Sequence, residues 1–100
     1  MTLEAWEAAS ALAHPVRLAV VLEIANADEP TSPVELARRL EHSLGNISHH
    51  VRKLHQMGAL KLVDTQPRRG AVEHFYVLSD DDRLLAVIRA LSPDSNSGAA

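Results

Sequence analysis

Residues Ser43–Leu60 read SLGNISHHVRKLHQMGAL. With a 3.6-residue period, Leu44, Ile47, Val51, Leu54 and Met57 fall on one apolar stripe. Gly45, Asn46, Ser48, His49, Arg52, Lys53 and Gln56 lie largely off it. Ser43 suits the N-cap and Gly58 the stop, so the stretch predicts one amphipathic helix. Its apolar side can anchor to a small core. Its other side offers amides, hydroxyls, imidazoles and cations, the groups that meet base edges and phosphates in a DNA major groove.

The segments before it complete a motif. Ser32-Pro33-Val34-Glu35 has serine at the cap, proline at the first position and glutamate at the third, a strong helix start. That helix is expected to run to about Leu40, packing through Val34, Leu36, Ala37 and Leu40 with Arg38 and Arg39 outward. Glu41-His42 is the short connection to Ser43. Two short helices, a tight turn and a polar-faced second helix make a helix-turn-helix. Residues 15–26, PVRLAVVLEIAN, begin with a proline at a helix start and are apolar nearly all round, which predicts a central buried helix. Asn26–Thr31 reads as a turn. Residues 2–13 read as a first helix, with Leu3 and Trp6 on a rough apolar face.

After Gly58 the period changes to that of strands. Leu60–Asp64 and Val72–Leu78 read as two strands, with Thr65–Gly70 as a polar turn carrying Arg68 and Arg69. Together they predict a hairpin wing with a basic tip at 64–72. Ser79 or Asp80 can cap a last helix, whose face holds Leu84, Leu85, Val87, Ile88 and Leu91. The expected fold is α+β: a winged helix-turn-helix of four helical segments, a β-hairpin wing and a C-terminal helix. Residues 1–92 form this domain and 93–100 a frayed tail. The terminal helices are expected to form a homodimer interface through Leu3, Trp6, Leu84, Leu85, Ile88 and Leu91. For Trp6, packing within its own domain is the competing role.

Charge follows the same division. The net charge is −3 over 100 residues. Residues 1–42 carry three Arg and seven acids (−4), 43–70 five cations and one acid (+4), and 71–100 two Arg and five acids (−3). Positive charge is thus concentrated on the proposed reading helix and the turn after it. Aromatic residues make up only 3%, so Leu, Val, Ile and Ala must build the core. The absence of cysteine excludes disulfides, thiolate nucleophiles and thiolate metal sites. No run is long enough to span a membrane. The amino-terminal stretch lacks the basic region of a secretory signal, and a cytoplasmic location is expected.

The residues assign roles. Asn46 can pair bidentately with adenine, against the competing role of a local helix cap. Gly45 permits close backbone approach, and Ser43 can satisfy helix-end N–H groups or touch phosphate. Ser48 and His49 form the next outward pair. Arg52 and Lys53 suit phosphates, and Arg68 and Arg69 suit a narrow minor groove. The competing role for His49 and for the wing arginines is a solvated surface side chain. His42, His49, His50 and His55 crowd one stretch but match no metal-ligand spacing. There is no glycine-rich phosphate loop, paired-carboxylate signature or triad. No enzyme, metal or cofactor is expected, although spacing alone leaves open a metal bound between subunits.

The chain resembles the ArsR-type winged helix-turn-helix regulators, in the broad sense that includes members without metal sites. The likeness begins at ALAHPVRLAVVLEIA (11–25) and continues through PVELARRL (33–40). It is sharpest in ISHHVRKLHQMGAL (47–60), where Ser48, His49, His50, Val51, Leu54, Gly58 and Leu60 meet the family pattern, and it extends to RRGAVEHFYVLS (68–79). The resemblance implies a homodimeric regulator, most simply a repressor, that reads an inverted repeat of double-stranded DNA with residues 43–57 and the wing. It also implies contacts from the outward members of the amino-terminal half of that helix, with His50 packing partly inward. Metal-sensing members carry cysteines in the first helix of the motif, or carboxylates and imidazoles in the last helix. Both patterns are missing here, so the resemblance names no effector. The rival is a winged-helix protein-interaction module or anti-repressor, which would need an apolar outer face.

Overall fold

The computed structural model describes residues 12–91, with backbone alone at 82–84 and 91. Helices α1 (Pro15–Asn26), α2 (Pro33–Arg39) and α3 (Leu44–Gln56) precede strands β1 (Leu60–Arg68) and β2 (Ala71–Leu78) and helix α4 (Asp82–Leu91). This is the α+β winged helix-turn-helix that the sequence predicts. Residues 2–11 of the expected first helix, with Leu3 and Trp6, the tail at 93–100, and the side chains of Leu84 and Leu91 lie outside the described residues.

The starts of α1, α2 and α3 each have a side-chain acceptor for an otherwise orphaned N–H. His14 Nδ1 accepts from Val16 N–H at 3.2 Å, Ser32 Oγ from Glu35 N–H at 3.3 Å, and Ser43 Oγ from Asn46 N–H at 3.3 Å. The two helices of the motif also end alike. At the end of α3, Ala59 N–H reaches Leu54 O at 2.9 Å and Gly58 N–H reaches His55 O at 3.0 Å, with Gly58 at φ 84°. At the end of α2, His42 N–H reaches Ala37 O at 3.0 Å and Glu41 N–H reaches Arg38 O at 3.3 Å. Both are Schellman ends. The second, however, holds a non-glycine residue, Glu41, at φ 52°. That left-handed residue makes the turn between the helices tight enough to bring Ser43 directly to its cap.

The core gathers Val20, Val21 and Ile24 of α1, Leu36 and Ala37 of α2, Ile47, Val51 and Leu54 of α3, Leu60, Tyr76 and Ile88. Truncating a fully buried leucine such as Leu36 or Leu54 costs about 2–5 kcal/mol. Four expectations need correction. Helix α1 is not buried all round: Leu18 and Leu22 are half-buried and Ala25 is exposed, because α3 and β2 cover one side of it. Leu44 and Met57, each 48% exposed, drop out of the stripe of α3, since they sit at its two ends beyond the packing partners. Val34, in the first turn of α2, is exposed in the same way. Ile88, expected at a dimer face, is buried in the core of its own chain, while Leu85 is half-buried.

The wing also differs from its expected bounds. Thr65–Arg68 are strand, pairing antiparallel with His74–Ala71, and the reversal takes only Arg69 and Gly70. These residues have φ 47° and 85°, the doubly positive geometry of a two-residue hairpin turn. Pro67 is tolerated because β1 is an edge strand. A bulge between Leu62 and Asp64 adjusts the register. On the other side of β2, Thr31 and Tyr76 exchange backbone hydrogen bonds of 3.0 and 2.9 Å. The expected turn at 26–31 therefore ends in a bridge that ties the start of α2 to the sheet. Helix α4 begins at Asp82, two residues after the later of its expected caps.

Candidate nucleic-acid interface

Helix α3 divides its side chains sharply. Ile47, His50, Val51 and Leu54 are buried. Ser43, Gly45, Asn46, His49, Arg52 and Lys53 are exposed, and Ser48 is half-buried. The exposed set thus runs as one ridge from the helix start to its last turns. No acidic residue lies in the first turn, so nothing on the helix itself neutralises its positive end.

The local chemistry of Asn46 separates its two expected roles. The cap is Ser43, whose Oγ takes the Asn46 N–H. The Asn46 side chain is therefore free of that duty, and its Nδ2 lies 3.4–3.5 Å from the ring nitrogens of His42. His42 Nδ1 also accepts Ser43 N–H at 3.1 Å. His42, read from sequence as part of the connection and of a histidine-rich stretch, thus sits against the amide that the ridge presents. A Cβ built on Gly45 meets nothing within 4 Å, so the protein's own packing does not demand glycine there.

The wing cations are not equivalent. Arg68 Nε donates to Glu73 at 3.0 Å and its Nη2 to Gln66 at 3.0 Å. Arg69 stands at the turn itself, exposed, and none of the described ion pairs includes it. Lys61 is likewise exposed on β1. Below the ridge, His55 meets Tyr76 edge-on with ring centroids 5.5 Å apart. Burial raises the Tyr76 hydroxyl above its ordinary value, and the Arg52 charge opposes that shift.

Two groups escaped the sequence reading. Glu73 joins the wing to α2, as its carboxylate takes the Ser32 hydroxyl as well as Arg68. Arg17 of α1 donates through Nε to His50 Nδ1 at 3.2 Å. Both contacts join residues more than thirty positions apart, and no local pattern announces them. Burial lowers His50 below the ordinary imidazole value. His14, Arg17, His49 and His42 add to that shift. Among the described residues no three His, Asp or Glu side chains converge to hold a metal ion, and no helix is long and apolar enough to cross a membrane.

A family model described as a helix-turn-helix domain matches residues 12–63. Among solved structures, the chain is similar to HlyU from Vibrio cholerae, at 29% identity and a TM-score of 0.60 over 82% of this chain and 80% of that one. NolR from Sinorhizobium fredii is similar at 27% identity and a TM-score of 0.60, covering 91% and 81%. The transcriptional repressor BigR from Xylella fastidiosa has a TM-score of 0.63 at 23% identity over 81% and 73%, a likeness of fold alone. No curated protein sequence matches the chain. The chain belongs to the helix-turn-helix domain family and has the winged fold of these structures.

Proposed function

We propose that the protein is a sequence-specific double-stranded DNA-binding regulator, a cytoplasmic homodimeric repressor that reads an inverted repeat. The observation that carries this reading is the division of α3, with an apolar side in the core and a continuous polar, cationic ridge in solvent. In this reading α3 enters the major groove. Asn46 reads a base edge, Gly45 allows close approach, and Ser43, Ser48 and His49 line the entry. Arg52 and Lys53 hold phosphates, while Arg69 reaches the adjacent minor groove and Arg68 supports it from the strand.

The dimer would be built by residues 2–13, with Leu3 and Trp6, and by Leu84, Leu85 and Leu91 of the last helix. A two-fold pair places the reading helices about one helical turn of DNA apart, or a small multiple of it. Arg52, Lys53, Lys61 and Arg69 have no carboxylate partner among the described ion pairs. A pair of subunits then makes up to about eight phosphate contacts through them, and affinity falls with log salt at a slope approaching about −7. Selection from random duplexes at about 0.15 M salt tests the reading. Enrichment of an inverted repeat is the expected result. No salt-sensitive binding to any duplex would instead support a protein-interaction module.

A further inference from the structure

The sequence places Arg17 in α1, outside both the helix-turn-helix and the wing. The fold brings it against the reading helix, where its Nε donates to His50 Nδ1 at 3.2 Å. That hydrogen bond requires a neutral His50 with its proton on Nε2. Two more imidazoles close on the same point. The His14 ring, at the cap of α1, has its centroid 4.5 Å from that of His50, and the His49 ring, on the exposed ridge, 5.3 Å. One guanidinium and three imidazoles thus converge from two elements.

Among the described residues no carboxylate pairs with Arg17. Arg39 is paired with Glu35 and Glu23, and Arg68 with Glu73, but none of the described ion pairs includes Arg17. Arg17 is half-buried. A partly desolvated guanidinium with donors left over is a ready partner for an anion. Nε is committed to His50, which fixes the plane of the fork and leaves the Nη donors to a partner. The neighbouring His49 belongs to the ridge that faces the duplex, so an anion at Arg17 would flank the groove that α3 enters.

We propose that Arg17, oriented by His50, is a third anchor on the DNA backbone, taking a phosphate beside the groove occupied by α3. This rests on the DNA-binding reading above and adds a contact from outside the reading helix and wing. His50 is a positioning residue here, and Arg17 the contact.

The test compares the full-length chain with Arg17→Gln and Arg17→Lys on duplex DNA, with folding checked by circular dichroism. Arg17→Gln should weaken binding evenly across sequences and lower the salt slope by about 0.9 for each subunit. The ratio of wild-type to variant affinity is then about threefold larger at about 50 mM salt than at about 200 mM, for each phosphate lost. Arg17→Lys, which keeps the charge, should retain the wild-type slope. A folded Arg17→Gln chain with an unchanged slope would overturn the anchor and leave groove reading intact. A wild-type chain that binds no duplex would overturn both.

Discussion

The Ser32 hydroxyl donates to the carboxylate of Glu73, a residue 41 positions further along the chain. Ser32 is fully buried and caps α2, while Glu73 lies on β2 and also holds Arg68. One carboxylate therefore links the first helix of the helix-turn-helix to the wing. Glu73→Ala should destabilise the chain by about 1–3 kcal/mol, because a buried hydroxyl loses a charged partner. Denaturant unfolding measures this. Equal stability of variant and wild type would mean that Glu35, 3.4 Å from the same hydroxyl, replaces Glu73 as its acceptor and that the Thr31–Tyr76 bridge and packing hold the wing to α2.

Gly45 lies in the first turn of α3 with open space where a side chain would stand. Gly45→Ala should stabilise the free protein by about 0.5–1 kcal/mol through helix propensity. The same change should weaken DNA binding, since a methyl group intrudes where the backbone approaches the duplex. Thermal melting and a binding titration on one preparation separate the two effects. Unchanged or tighter binding would remove Gly45 from the interface.

Arg69 occupies the left-handed region at the hairpin turn, where Asn is much the better residue. Arg69→Asn should raise hairpin stability by a few tenths of a kcal/mol to about 1 kcal/mol and weaken binding evenly across sequences. Opposite movements of melting temperature and affinity are the signature. A variant that binds as well as wild type would make the wing tip a solvated turn.

His50 gives the fold a pH dependence of fixed sign. Its imidazole is held below the ordinary value, so the unfolded chain takes up this proton at higher pH than the folded chain does. Stability from this residue is present above about pH 6.5 and declines as the pH falls below it. Unfolding midpoints measured from pH 7.5 downward should drop, and His50→Gln should flatten that drop. A wild-type profile identical to that of the variant would mean that His50 is not the group being titrated.

How much of this was legible in the chain depends on range. The caps at Ser32 and Ser43, the stop at Gly58 and the stripe of α3 are local, written within a turn or two. The wing was legible as two strands, but its turn was placed too broadly. Thr65–Arg68 are polar, and only pairing with the apolar-rich β2 makes them strand. Glu41 carries no glycine to announce its left-handed φ. The contacts of Arg17 with His50 and of Ser32 with Glu73 depend on how distant elements pack, which one-dimensional periodicity does not encode. Ile88 shows the same limit from the other side: an apolar helical face was legible, but whether it covers its own core or a second chain was not.

The base preference of the Asn46→Ala variant is the sharpest check on base reading by α3. Selection from random duplexes is run in parallel with wild type and with this variant. An inverted repeat is expected for the wild type, and in the variant the same repeat with preference lost at one symmetric pair of positions, worth about 1–3 kcal/mol at each. An unchanged repeat, position by position, would contradict the assignment of the α3 ridge as the surface that reads DNA.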